Sequence, residues 1–272
     1  MKWWYLLVGL IGCYAILVVG ANLLLPRFLF LPTQLKSDYQ FQFSQLFEEV
    51  WLEEGAFRIH GLHFPVDSAA GLVLYFHGNA DDLQRWGEYL TDLTEKGYAV
   101  LAIDYPGYGK SPGKPSEEGI YQATELAWQW ALERYSPDQI VIYGRSLGSG
   151  AASYLSSQHA AQVLILETPF YSVPDVLRER FSIGIWWNDQ YQFPNNQHIE
   201  QSQNEVFIFQ GTSDRVVPYR SAIKLRPLLQ SENHFIIIDG GTHHNLSKFP
   251  LYHEQLTQIL ESTRTPESNP AP

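Results

Sequence analysis

Residues 139–153 read QIVIYGRSLGSGAAS, and the reading of this stretch determines the fold. Gln139, Ile140, Val141, Ile142 and Tyr143 make a short β-branched and aromatic run, which predicts a buried strand. The residues that follow are small, and Gly150, Ala151 and Ala152 let a helix lie close against a sheet. Between strand and helix stands Gly144-Arg145-Ser146-Leu147-Gly148, the pattern G-x-S-x-G. In this context it makes a tight, strained turn that lifts a serine hydroxyl out at the carboxyl end of the strands, where ligands bind in such sheets. Ser146 is therefore the candidate nucleophile. The rival is a dinucleotide-binding turn. Gly148-Ser149-Gly150 fits that fingerprint in part, with Glu167 19 residues beyond Gly148, but its third glycine position is Ser153.

Working outward, strand-like and helix-like segments alternate. Strands are expected at residues 49–53, 57–66, 72–77, 98–104, 139–143, 162–167, 205–210 and 235–239. Helices are expected at 82–96, 116–135, 147–157, 219–229 and 250–262. Short links between them argue an α/β fold, with a mostly parallel sheet and helices on both faces. The run LVLYFH at 72–77 is almost wholly apolar, as for a strand covered on both sides. Residues 170–204 break the rhythm. They carry many aromatics and no clear strand, and read as a short lid insertion over the sheet. The domain is thus expected at 46–262, after a connector at 26–45 and before a polar, proline-containing tail at 263–272 that reads as disordered.

The amino-terminal segment has a different character. Residues 3–25 are 23 positions without a charge, about 34 Å as a helix, enough for a hydrocarbon core of roughly 30 Å. Trp3, Trp4 and Tyr5 suit one headgroup region, and Pro26 and Arg27 end the run at the other. A single-pass membrane anchor is expected at 1–25, in contact with membrane lipid. A cleaved signal peptide, with Gly20 and Ala21 near the cut, a lipoprotein signal at Cys13 and a buried core helix are the competing readings. Lys2 on one side and Arg27 and Lys36 on the other leave the orientation open. The net charge of −11 disfavours nucleic acid as a partner. The single cysteine, Cys13, precludes an intramolecular disulfide and a cysteine-rich zinc site. No metal or cofactor site is expected, since His60 and His63, three apart on a strand, face opposite sides.

A serine nucleophile needs a base, an acid and donors for an oxyanion. Of nine histidines, His243 and His244 fall in the loop GGTHHNL after the last strand, with His243 favoured and His244 left open. Asp214, in the loop after EVFIFQ, is the favoured acid, with Glu167 and Asp239 as rivals. The expected oxyanion donors are the backbone N–H groups of Leu147, after the nucleophile, and Asn79, in the loop HGNA. His77 reads as an orienter of that loop.

HGNADD, DYPGYGKS, GRSLGSG, GTSDRVVP and GGTHHNL resemble the successive motifs of the α/β-hydrolase superfamily over about residues 45–262. Their order and spacing are similar to its membrane-anchored branch, which includes acyl-protein thioesterases and lysophospholipid lipases. The resemblance implies the α/β-hydrolase fold, the triad Ser146, Asp214 and His243, and oxyanion donors at Asn79 and Leu147. It departs at Asp81-Asp82, where relatives often have Gly-Asn, and at Pro106, where they often have a basic residue. The activity implied is cleavage of an acyl ester or thioester substrate. An oligopeptidase-type serine peptidase and a non-catalytic membrane scaffold are the alternatives. Aromatics of the insertion, Trp186 and Trp187 above all, are expected to line an acyl-chain pocket, or else to fasten the insertion to the sheet.

The uncharged run has a direct test. The protein should sediment with membranes and resist extraction by high salt, there being no polybasic patch for electrostatic attachment. Soluble protein with a new amino terminus near Ala21 would indicate a cleaved signal peptide instead.

Overall fold

The computed structural model describes residues 3–181, 190–262 and 264. Its centre is an eight-stranded sheet. In chain order the strands are β2 (Glu48–Glu54), β3 (Phe57–Phe64), β4 (Leu72–Phe76), β6 (Ala99–Ile103), β7 (Ile140–Arg145), β8 (Val163–Glu167), β9 (Val206–Gly211) and β10 (Phe235–Ile238). The spatial order is β10-β9-β8-β7-β4-β6-β3-β2; β2–β3 and β3–β6 are antiparallel, and every other pair is parallel. A separate two-stranded parallel sheet joins β1 (Leu31–Pro32) to β5 (Ala80–Asp81).

The period-2 geometry of a strand divides β4 between two cores. Leu72, Leu74 and Phe76 pack on one face with helices α4 (Glu117–Leu132) and α5 (Gly148–Gln158). Val73 and Tyr75 pack on the other with α9 (Pro250–Ser262). Helix α4 starts where Ser116 accepts a hydrogen bond from the Gly119 N–H at 3.0 Å. It buries Ile120, Ala123, Ala127 and Ala131, one stripe at helical spacing.

Three expected helices differ in form. The segment at 82–96 breaks into α2 (Leu83–Trp86), a 3₁₀ turn (Gly87–Leu90) and α3 (Thr91–Glu95). Gly87 is a weak helix former, and the Phe43 ring fills the place a side chain there would take. The segment at 219–229 is helical only over α8 (Tyr219–Ala222) before tightening to 3₁₀ over Ile223–Leu228. Pro227 has no N–H to bond the carbonyl four residues back. The apolar amino-terminal run forms α1 (Trp3–Leu29), which continues through Pro26. Leu25 and Leu29 pack against the domain core, and Phe30 joins it, with its ring edge-on to Tyr191 at 5.3 Å. This packing extends the helix beyond the proline. Helix α1 is long and apolar enough to cross a membrane.

The insertion contributes α6 (Val173–Phe181) and α7 (Asn195–Gln201). Helix α7 docks on α5 through Asn195, whose side-chain oxygen accepts from Ser153 Oγ at 2.8 Å while its amide donates to Ser149 Oγ at 2.9 Å. Beside it His198 packs edge-on against the stacked rings of Tyr121 and Tyr154, 5.7 Å from each. Burial lowers its pKa to about 4. Between about pH 6.5, the ordinary histidine value, and pH 4, the unfolded chain binds a proton there that the folded chain does not. Its contribution to stability is thus complete above that window and is lost as pH falls through it. Urea midpoints measured from pH 7 to 4 should fall, and His198→Gln should flatten the fall.

Candidate active site

The site is assembled at the carboxyl ends of β4, β7, β9 and β10. Strands β4 and β7 are neighbours, with Phe76 opposite Gly144, so the loops leaving them lie side by side. After β7 the chain turns at Ser146, whose φ is +52°, a left-handed value for a residue with a side chain. Such a backbone costs on the order of 1–3 kcal/mol and must be held by its surroundings. The Ser146 N–H donates to the Glu167 carbonyl of β8 at 2.9 Å, and α5 starts two residues later. Gly148 rests directly on the carbonyl oxygens of Phe76 and His77, which a methyl group at that position would overlap.

His243, after β10, brings Nε2 to 2.9 Å from Ser146 Oγ. Its Nδ1 lies 2.8 Å from Asp214 Oδ2, after β9. An ionised carboxylate can only accept, so Nδ1–H donates and Nε2 is left to accept from the serine hydroxyl. Asp214 Oδ1 accepts from the N–H groups of Val216 at 2.8 Å and Val217 at 2.9 Å. Ser146, His243 and Asp214 are all buried. His244 is exposed and meets His243 edge to face at 5.0 Å. The other acids are occupied elsewhere. Asp239 accepts from the Thr212 hydroxyl at 3.0 Å. Glu167 lies 3.4 Å from Arg145 Nε and accepts from Tyr143 Oη at 2.8 Å and Tyr252 Oη at 3.3 Å.

Asn79 and Leu147 line a cavity of about 820 Å³ together with Ser146. Neither of their N–H groups has an acceptor among the described residues. The Asn79 carbonyl is held by two donors, the Leu31 N–H and Tyr108 Oη, each at 2.8 Å. His77 donates from Nδ1 to the Gly78 carbonyl at 2.7 Å, and the Tyr105 hydroxyl holds the His77 carbonyl at 2.9 Å. Burial lowers the His77 pKa to about 4. Asp104, 3.7 Å from its Nε2, is raised to about 6 by burial, a shift that His60 partly opposes. At the point of departure from the family pattern, Asp81 has a φ of +66°, a conformation that favours glycine. Arg85 pairs with its carboxylate, and Asp82 caps α2 by accepting from the Gln84 N–H at 2.7 Å.

Several residues of the site carry no sequence signal. Arg145, a variable position of the G-x-S-x-G pattern, donates to the His243 carbonyl at 3.1 Å and lies over the Trp86 and Tyr89 rings. The cavity wall is built by Val173 and Leu177 of α6, by Val216 and Val217, and by the end of α1. Of the aromatics expected at the pocket, Phe170 and Tyr191 do line it, while Phe193 is buried between the Tyr121 and Phe30 rings, fastening the insertion. Trp186 and Trp187 lie outside the described residues, as does most of the carboxyl-terminal tail.

Residues 67–197 match the family described as serine aminopeptidase, S33. Alpha/beta hydrolase domain-containing protein 17B of Xenopus laevis is 28% identical over 201 residues, 71% of this chain and 67% of that protein. Protein 17C of Homo sapiens is 28% identical over 196 residues, 69% of this chain and 57% of that protein. The chain thus spans about three fifths of the length of the curated relatives it matches. Among solved structures, an esterase of Pyrococcus furiosus superposes with a TM-score of 0.65 at 17% identity, covering 87% of this chain and 98% of that one.

The contact under the serine turn predicts that Gly148→Ala destabilises the domain by about 3 kcal/mol, since the successive backbone carbonyls of Phe76 and His77 leave the methyl group no room. Urea unfolding of detergent-solubilised protein measures it; an unchanged midpoint would show that the turn can relax.

Proposed function

Because the chain belongs to the α/β-hydrolase superfamily, we propose that it is a membrane-anchored serine hydrolase that cleaves carboxylic ester or thioester bonds of acylated substrates. The observation that carries this reading is the hydrogen-bonded line from Ser146 through His243 to Asp214, at 2.9 and 2.8 Å, with Ser146 lining a largely apolar cavity. As Ser146 Oγ attacks the acyl carbon, His243 Nε2 takes the hydroxyl proton. The carbonyl π pair moves onto oxygen, and the N–H groups of Asn79 and Leu147 donate to that oxyanion. Collapse breaks the bond to the leaving oxygen or sulfur, which takes the proton from His243, and an acyl-Ser146 ester remains. Water then attacks this ester, giving its proton to His243, and the acid departs as Ser146 Oγ regains a proton. Asp214 stays ionised throughout. It fixes the tautomer of His243 and stabilises the imidazolium, while two backbone N–H groups fix Asp214 itself.

Helix α1 serves as the anchor, its apolar side chains exposed along most of its length and in contact with membrane lipid. The matching family's description raises aminopeptidase action as a second reading, and the same three residues could perform it. A free amino terminus wants a carboxylate partner. Among the described residues lining the cavity none is acidic, and two, Arg178 and Arg180, are basic. An uncharged acyl chain fits that lining better.

Kinetics on matched esters, thioesters and aminoacyl anilides test the proposal. Ser146→Ala and His243→Ala should each lower kcat by about 10⁴ or more without changing the unfolding midpoint, and His244→Ala should keep the wild-type rate. Retention of activity in Ser146→Ala, or no labelling of the wild type by a fluorophosphonate, would refute it. A clear preference for the anilides would hand the function to the peptidase reading.

A further inference from the structure

Helix α1 reaches the cavity that holds the nucleophile. Asn22, Leu25 and Leu29 follow one another at three and four positions, a single helical stripe, and with Phe28 they line the same cavity as Ser146. Opposite them stand Val173 and Leu177 of α6. Leu25 and Leu29 are half-buried against the domain, whereas Leu23, which does not line the cavity, is 74% exposed. The strand that leaves α1 then reaches the oxyanion loop. Leu31 N–H donates to the Asn79 carbonyl at 2.8 Å, and Thr33 N–H donates to the Asp81 carbonyl at 3.1 Å.

We propose that the last two turns of α1 are one wall of the acyl-chain site, and that the enzyme draws a single-chain acyl ester out of the bilayer along this helix. The inference rests on the ester-hydrolase reading above. At 27 residues α1 is about 40 Å long, longer than the roughly 30 Å hydrocarbon core. With Trp3, Trp4 and Tyr5 at one interface, the residues from Asn22 onward reach the other. The cavity mouth therefore sits at headgroup level, where the carbonyl of a membrane-borne acyl ester lies. The tail stays in apolar surroundings throughout, passing from lipid to Leu25, Leu29, Val173 and Leu177. Such a transfer exposes almost no methylene to water, whereas each one exposed would cost about 0.8 kcal/mol. The β1–β5 pairing fixes the oxyanion loop to the same helix, so the reacting carbonyl and the chain-binding wall keep a constant separation.

The test uses the full chain in phosphatidylcholine nanodiscs, with nitrophenyl butyrate and dodecanoate as substrates. The wild type should favour dodecanoate. Leu25→Trp, which narrows the groove, should lower the dodecanoate-to-butyrate ratio of kcat/KM by about tenfold or more, while Leu23→Trp, on the far face, should change it by less than about twofold. A wild type that favours butyrate would overturn both this proposal and the acyl-chain reading. A wild type that favours dodecanoate, with Leu25→Trp no different from Leu23→Trp, would overturn the α1 wall alone. A second measurement needs no variant. A dodecyl fluorophosphonate with a terminal diazirine, attached to Ser146 and illuminated, should cross-link to residues 22–29. Cross-links confined to residues 173–181 would refute the proposal, and absence of any label on Ser146 would refute the serine hydrolase itself.

Discussion

The structure of the site depends on one register contact, Arg145 of β7 opposite Glu167 of β8. Glu167 acts on the turn at two levels. Its backbone carbonyl accepts from the Ser146 N–H and holds the left-handed φ in place. Its carboxylate faces the Arg145 guanidinium, which in turn donates to the backbone of His243. Ser146 and His243 are thus positioned by the same acidic residue, although it touches neither Ser146 Oγ nor the His243 ring. Leaving a buried guanidinium without its carboxylate would cost about 3–5 kcal/mol, more than the strained turn itself. Tyr143 and Tyr252 satisfy the remaining capacity of Glu167, so the arrangement carries no unpaired carboxylate oxygen.

Much of this was legible in the chain. The elbow is legible because a strained turn tolerates few residues, and Gly144 and Gly148 advertise it. The strands are legible because a fully buried sheet demands uninterrupted apolar runs such as LVLYF and AVLAI. Asp214 and His243 could be chosen because strand order dictates which loops open on the same edge, and the structure brings those two side chains together with Ser146. The choice between His243 and His244 depends on rotamer and loop path, which a dipeptide of identical residues does not encode. Glu167 appeared in the sequence as a rival acid; its position opposite Arg145 is set by strand register, visible only in three dimensions.

Other features left no trace because they arise from packing across long separations. The cluster of His60, Asp104 and His77 joins three strands, and no local pattern relates them. Residues 26–45 read as a connector, yet Leu31 and Pro32 form a strand and Phe41 is part of the core. The period-2 pattern Gln40-Phe41-Gln42-Phe43 was the available clue. Proline at position 26 suggested an end to the helix, and apolar contact with the domain carried the helix past it.

The pairing of β1 with β5, and of Tyr252 with Glu167, also sets an order in time. During vectorial synthesis the serine turn at residue 146 leaves the ribosome well before the groups that complete its surroundings, at residues 214, 243 and 252. A domain generally folds as a unit. The nascent chain therefore carries its serine turn before it possesses the aspartate, the histidine and the tyrosine that meet around it. The hydrogen-bonded line from Ser146 to Asp214 can form only once residue 243 has emerged, and Glu167 gains its second tyrosine only once the last helix has docked.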